Sequence, residues 1–271
     1  MSTLSLLMPT YNRDFIIELA IQSILLQKET SWKIELVIAD DGSDGTEGIV
    51  NKLRSVNPDV KIVYLKHERM PLSDKFNYMV HNCSGQYYGL IGSDDIQSLY
   101  KVSAFEKSVS ANPDGDIFGQ WSFIYHDIIF DQSSRWVQNR DRHLFKAGSF
   151  VIVKKELHEK YGGYDPGLWR SVDSSFAAKL KDVEVKLVDM AEYDSRILDT
   201  AIAVQHLDNI WRRKSKGLRR KSKQTKNFLS ERVDLDLQIL LETLYPIYAQ
   251  VKAEMTARLS FFERLLLYLK H

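Results

Sequence analysis

An apolar run, Gln86-Tyr87-Tyr88-Gly89-Leu90-Ile91, leads straight into Gly92-Ser93-Asp94-Asp95. The run has the length and composition of a buried strand, and it stops at two adjacent carboxylates. Two acids at a strand's end repel each other unless a cation or water separates them. The carboxyl edge of a parallel sheet is also where such folds gather ligands. One reading is therefore a divalent cation that holds a phosphorylated substrate. The other is an Asx-rich turn capping a helix that starts near Leu99. Taken alone, the four residues favour the turn.

The elements that must position them alternate through the first hundred residues. Leu4-Ser5-Leu6-Leu7-Met8 reads as a strand stopped by Pro9, and Phe15 to Gln27 as a helix with Ile16, Leu19, Ala20 and Ile24 on one face. Strands follow at Ile34–Ala39 and Lys61–Leu65. A helix capped by Asp44 or Thr46 runs to about Val56, and another spans about Ser73–Asn82. Three crossovers in series imply a parallel sheet with helices on both faces. Strand carboxyl ends then fall near Pro9–Arg13, Asp40–Asp44, His67 and Gly92–Asp95. Beyond Asn112-Pro113-Asp114, strand-like stretches at Ile117–Tyr125, Gly148–Val153, Val183–Val188 and Ile197–Val204 read as a mixed extension of the same sheet. Helices are expected near Lys154–Tyr161, Val172–Lys181, Thr225–Thr256 and Ser260–Leu269.

Composition narrows the class. The chain has 271 residues, enough for one large α/β domain or a domain plus an appendage. It has no bilayer-length apolar run, and Met1-Ser2-Thr3-Leu4 enters a strand without a basic leader. Its one cysteine, Cys83, excludes an internal disulfide framework and a cysteine-based zinc site. A cytoplasmic protein is the expectation. The net charge of +1 is uneven: Ile210–Ser230 holds nine Lys/Arg and no acid, and the rest carries 28 basic against 36 acidic residues.

Two further loops belong to the same sheet edge, Met8-Pro9-Thr10-Tyr11-Asn12-Arg13 and Ala39-Asp40-Asp41-Gly42-Ser43-Asp44-Gly45-Thr46. A nucleotide base there needs a flat aromatic neighbour and an acceptor for its ring N–H, which Tyr11 and Asp40 could supply. Gly42 and Gly45 permit sharp turns and close backbone approach.

The series Pro-Thr-Tyr-Asn-Arg, Ala-Asp-Asp-Gly-Ser, Ser73-Asp74-Lys75-Phe76-Asn77, Ser84-Gly85-Gln86-Tyr87 and Gly92-Ser93-Asp94-Asp95 resembles the family-2 glycosyltransferases of GT-A fold. The match covers about residues 4–100, weakens over 145–210 and is absent beyond. The resemblance implies a Rossmann-like, mostly parallel α/β sheet flanked by helices. Residues 1–209 would form the catalytic domain, with a nucleotide-sugar half (1–100) and an acceptor half (101–209). Residues 210–271 would form a basic segment and C-terminal helices. It implies a nucleotide-sugar donor, usually uridine-based, held by Pro9, Thr10, Tyr11, Arg13, Asp40, Asp74, Lys75 and Ser93, with Asp41 ordering its loop. The family's acidic motif is often Asp-x-Asp. Its first position is Gly92 here, so Asp94, supported by Asp95, becomes the ligand for Mn²⁺ or Mg²⁺ across the diphosphate.

The resemblance also implies a downstream half. Gly162-Gly163-Tyr164-Asp165, followed by Ser171-Val172-Asp173, matches the segment holding the family's base, with Val172-Asp173 in place of Glu-Asp. Asp173 would take a proton from an acceptor hydroxyl that attacks with inversion. By itself it reads first as a first-turn carboxylate favoured by the helix dipole. His206 occupies the place of a family histidine that contacts metal or diphosphate, and a structural histidine is the other reading. The basic segment 212–223 is open to three readings: a solvated loop, a cover for the diphosphate or acceptor, or a contact for anionic lipid. The apolar helix 259–271 packs on the domain, on a second subunit as a homodimer, or in a membrane interface as a peripheral anchor. A glycan or lipid-linked acceptor follows from the family, and nucleic acid is not expected. Two rivals stay open: a sugar-phosphate nucleotidyltransferase, and a scaffold with a decayed site, which Gly92 and Val172 keep alive.

Overall fold

Leu4, Leu6 and Met8 are buried in one hydrophobic core and Leu7 in another. This is the period of two of an extended strand, so β1 (Thr3–Thr10) is apolar on both faces and must lie between two layers. The split recurs in β2 (Lys33–Asp40), with Leu36 and Ile38 on one side and Val37 and Ala39 on the other. The computed structural model describes residues 2–119, 122–127, 132–137, 151–188, 201–205 and 235–257.

Seven strands form the central sheet in the order β3-β2-β1-β4-β9-β6-β10. The added strands are β3 (Lys61–Lys66), β4 (Tyr87–Leu90), β6 (Ile117–Gly119), β9 (Val151–Lys154) and β10 (Val185–Leu187). All pairs are parallel except those of β9, which runs antiparallel to both neighbours. One face is covered by α1 (Ile17–Leu25), α2 (Thr46–Val56), α4 (Lys101–Ala111) and the long helix α7 (Leu235–Ala257). α7 packs on α1 and buries Leu244, Tyr248, Val251 and Met255, one stripe at helical spacing. The other face is covered by α3 (Leu72–Asn82), α5 (Lys155–Lys160) and α6 (Val172–Lys179). No described helix is long and apolar enough to cross a membrane.

The structure revises the sequence reading in three places. β1 continues through Pro9 to Thr10. Ile91 N–H donates to the Leu7 carbonyl, so alternate residues Leu7 and Pro9 turn their backbone toward β4; but β4 pairs only with Leu4–Leu7, and the missing proline N–H falls beyond that ladder. The stretch 117–125 divides between two sheets: β6 belongs to the first, whereas β7 (Ser122–Asp127) joins β8 (Gln132–Val137), β11 (Ala201–Gln205) and β5 (Asp95–Gln97) in a second, ordered β5-β11-β7-β8. The second half is thus not simply an extension of one sheet. The acidic turn also does not cap a helix directly. It opens into β5, whose Asp95 lies in register with Ala203 of antiparallel β11. His206 and the segments 212–223 and 259–271 lie outside the described residues.

Two polar arrangements hold this frame. Toward the start of β2, fully buried Glu35 pairs with Lys61 at 2.6 Å and accepts from Ser5 Oγ at 2.5 Å, Ser84 N–H at 2.7 Å and Ser84 Oγ at 2.9 Å. Burial alone would raise its pKa; Lys61, Ser5 and Ser84 outweigh that and hold it below the usual glutamate value. On the second face, the loop between α5 and α6 is tied to α3. Asn77 donates from Nδ2 to the Tyr164 carbonyl and accepts from Tyr164 N–H at Oδ1, both at 2.9 Å. Ser73 exchanges bonds with Leu168, its N–H donating to the carbonyl at 3.0 Å and its Oγ accepting from the N–H at 2.8 Å. Asp74 accepts from Gly167 N–H.

Glu35→Gln should cost about 2 kcal/mol at neutral pH in urea titration. Because the folded-state pKa is depressed, that stabilisation is present above the unfolded value of 4.5 and lost as pH falls through the lower folded value. Variant and wild type should therefore converge in acid. Asn77→Ala removes both bonds to Tyr164 and should also cost about 2 kcal/mol by the same titration, with no convergence in acid.

Candidate active site

Because β1 to β4 run parallel, their carboxyl ends share one edge. Thr10, Asp40 and Lys66 stand in register across it, each closing its own strand. Three buried side-chain atoms among the described residues have no hydrogen-bond partner: Thr10 Oγ1, Thr46 Oγ1 and His67 Nε2. All three follow or end a strand at this edge, at the close of β1, at the start of α2 beyond β2, and just past β3.

The first two motif loops brace one another. Asn12 takes a left-handed backbone at φ 51°, which asparagine tolerates, and its Oδ1 accepts from Ser43 N–H at 2.8 Å. Asp44 accepts from Asp14 N–H at 2.8 Å, and Asp14 accepts from Gly45 N–H at 3.1 Å. A Cβ on Gly42 would lie 2.6 Å from the Asn12 backbone nitrogen, so this crossing requires glycine. Asp44 therefore ties loops together as well as accepting from Thr46 N–H at the head of α2.

Asp40 is fully buried and accepts from Gly42 N–H at 2.7 Å, Tyr64 Oη at 2.6 Å and Lys66 Nζ at 3.0 Å. Burial and then the Asp40 carboxylate push the Tyr64 phenol far above its ordinary pKa, so it remains a donor. Lys75 is buried with its Nζ 2.5 Å from Asp41 Oδ1 and 3.1 Å from the Thr10 carbonyl. Burial lowers its pKa, opposed by Asp41. Asp74, beside it, is engaged with Gly167. Both thus have partners within the chain. Arg13 lies near the Asn12 carbonyl and Phe15, and Pro9 is the penultimate residue of β1. Tyr11 is 44% exposed, with the Arg69 guanidinium 3.8 Å from its ring centroid.

At the end of β4, Ser93 is buried and Asp94 and Asp95 are partly buried. Burial, and then the charge of Asp94, push the Asp95 carboxyl up to about 8, with Lys101 opposing. Lys101, on α4, is almost wholly buried with Nζ 2.5 Å from Gln97 Oε1, and burial brings its pKa down to about 8. A Cβ on Gly92 would fall 2.5 Å from Asp95 Oδ2 and 2.9 Å from Asp94 Oδ1, so the carboxylates occupy the space a side chain would take. Two crowded carboxylates form a hard oxygen donor pair, which fits Mg²⁺ or Mn²⁺. Among the described residues no cluster of three or more His, Cys, Asp or Glu could hold a metal ion.

Asp173 is exposed in the first turn of α6. Ser171 just before it has φ 56°, a strained value for serine, and Val172 between them is buried. Asp165 is held by Lys179 at 2.7 Å and by Ser175, a turn-bracing role. Lys101, Arg69 and Trp169 escaped the sequence reading. Arg69 sits past the end of β3, where the edge rule could have found it; a single lysine on a buried helix face carries no such signal.

The model of glycosyl transferase family 2 matches residues 5–164. An uncharacterized glycosyltransferase of Mycoplasma genitalium, MG060, is 29% identical over 157 residues, 57% of this chain and 48% of that protein. The Escherichia coli UDP-Glc:alpha-D-GlcNAc-diphosphoundecaprenol beta-1,3-glucosyltransferase WfgD is 26% identical over 62% of this chain and 68% of its own length. The chain spans about half or less of the length of the first curated relatives it matches. Among solved structures, residues 1–349 of S. aureus TarS with UDP-GlcNAc superpose with TM-score 0.58 at 13% identity, covering 97% of this chain and 77% of that one. Mannosyltransferase PcManGT of Pyrobaculum calidifontis, in complex with GDP-Man and Mn²⁺, gives 0.55 at 17%, covering 98% and 79%. The fold is therefore the GT-A fold, and with the family model matched over more than half of its length, the chain belongs to glycosyl transferase family 2.

Proposed function

We propose that this chain moves a sugar from a nucleoside-diphosphate sugar, with uridine as the base, to a hydroxyl of a glycan or lipid-linked acceptor. The observation that carries the reading is the convergence of the motif loops on one sheet edge, where Asp40 and the Asp94/Asp95 pair lie and where buried Thr10 Oγ1 and His67 Nε2 have no partner within the chain. Buried polar atoms without partners are rare, and a polar ligand would satisfy them. The base stacks at Tyr11, beside the loop that buried Asp40 holds through Gly42 N–H and that Tyr64 and Lys66 brace. WfgD, named for UDP-Glc and a diphosphoundecaprenol acceptor, supports both donor and acceptor class. TarS with UDP-GlcNAc supports the donor as well.

Asp94, with Asp95 and His206, would hold Mn²⁺ or Mg²⁺, and the cation would supply charge neutralisation for the departing nucleoside diphosphate. Lys101 moderates the repulsion between the two acids from inside the protein. Lys75 acts through Asp41 and the Thr10 carbonyl, holding the donor loops rather than touching phosphate, and Asp74 positions the loop before α6. Asp173 accepts the proton of the attacking acceptor hydroxyl, and attack from the face opposite the leaving group inverts the anomeric centre. Segments 212–223 and 259–271 bring the enzyme to the membrane face where a lipid-linked acceptor resides.

A panel of UDP- and GDP-sugars with Mn²⁺ tests this. Release of the nucleoside diphosphate is expected, and pyrophosphate exchange instead would identify a nucleotidyltransferase. Saturating donor at 100 times its dissociation constant should stabilise the fold by about 2.7 kcal/mol, read as a rise in melting temperature. Asp94→Asn should abolish the dependence of that shift on Mn²⁺. Asp173→Asn should keep the shift and lower transfer about 10²- to 10⁴-fold. Wild type with no shift and no release would mark the site as decayed.

A further inference from the structure

The edge of the site carries a feature that donor binding and proton transfer leave unused. Arg69 lies between two exposed aromatic rings, with its guanidinium carbon 3.8 Å from the Tyr11 centroid and 5.5 Å from that of Trp169. Trp169 is 52% exposed. Other aromatic groups of its neighbourhood go inward: Tyr164 and Phe176 are buried and pack together at 4.6 Å. An indole left half in water is a large apolar surface without a cover.

Trp169 is held out by its surroundings. The loop before it is pinned to α3 by the bonds of Asn77 to Tyr164, Asp74 to Gly167 and Ser73 to Leu168. The last of these is the residue next to Trp169. Behind the loop, Lys179 donates to the Gly163 carbonyl at 2.8 Å. Arg69 then bridges the ring toward Tyr11 of the donor half. The backbone that carries the indole is thereby fixed, which lowers the ordering cost for whatever stacks on the ring.

We propose that Trp169 is the platform on which a pyranose ring of the acceptor stacks. The chain runs from Trp169 through the strained Ser171 to Asp173, four residues on. A base that takes its proton from the acceptor hydroxyl requires the acceptor to lie along this segment. The C–H face of a pyranose is weakly positive and apolar, matching the negative face of an indole. The donor base has its own ring in Tyr11, on the far side of Arg69. The inference rests on the reading of Asp173 as base and of a saccharide acceptor.

Saturation-transfer NMR with octyl β-D-glucopyranoside and octyl 2-acetamido-2-deoxy-α-D-glucopyranoside, as monomers with UDP and Mn²⁺ present, tests it. Wild type should saturate the pyranose ring protons of at least one probe more strongly than its alkyl chain. Trp169→Ala should weaken that binding about 10-fold, and Trp169→Phe should retain most of it. The melting shift given by UDP with Mn²⁺ should be the same in Trp169→Ala and wild type. Ring-proton saturation that is absent in wild type, or survives in Trp169→Ala, overturns the proposal. So does a loss of UDP shift confined to the variant, which would make Trp169 a donor contact. A wild-type protein that gives no UDP shift overturns the donor reading instead, and is distinguished by that measurement alone.

Discussion

Lys75 is an ammonium taken out of water, and its position is tolerable only because Asp41 stands 2.5 Å away and the Thr10 carbonyl accepts a second bond. Both side chains of the pair are almost wholly buried. Such a pair adds little net stability over an apolar replacement, but removing one partner strands the other at a cost of about 3–5 kcal/mol. Its geometric effect is larger than its energetic one. It joins the end of β1, the end of β2 and the first turn of α3 at one point. α3 in turn carries Ser73, Asp74 and Asn77, which fix the loop leading to α6. Through α3, this buried ion pair links the donor loops to the loop that precedes Asp173.

The acid pair at the end of β4 is the opposite case, in which like charges are kept together. Burial and Asp94 work against ionisation of Asp95, and Lys101 works for it from within. Gly92 is the condition of the arrangement, since its missing side chain is the space the two carboxyl groups occupy. With no side chain at Gly92, the next two acids can turn back on the strand.

Much of this was legible in the chain. Three crossovers in series between apolar runs such as Leu4–Met8 and Leu36–Ala39 foretell a sheet covered on both faces, and turn residues after each strand locate the edge where the site lies. What was not legible depends on pairing between distant segments. Nothing local distinguishes Asp95-Ile96-Gln97 from the start of a helix; its strand character comes from Ala201–Gln205. The partners of Lys75 and Asp74 were hidden for the same reason, because a lysine near a phosphate and a lysine closing a loop have the same local sequence. Arg69 and Trp169 are separated by a hundred residues and become neighbours only when the loop before α6 is pinned to α3.

The packing of α7 on α1 has a consequence for how the protein comes into being. α1 is synthesised long before α7, yet its apolar face packs on that helix, which buries Leu244, Tyr248, Val251 and Met255. Until residues past 235 have left the ribosome, the nucleotide-binding half must wait with an incomplete core, its motif loops already made. A contact so distant in sequence carries a high loop-closure cost and slows folding. The interval exposes apolar surface to other chains. Among the described helices, the one farthest from the motifs in sequence thus completes the core beneath them.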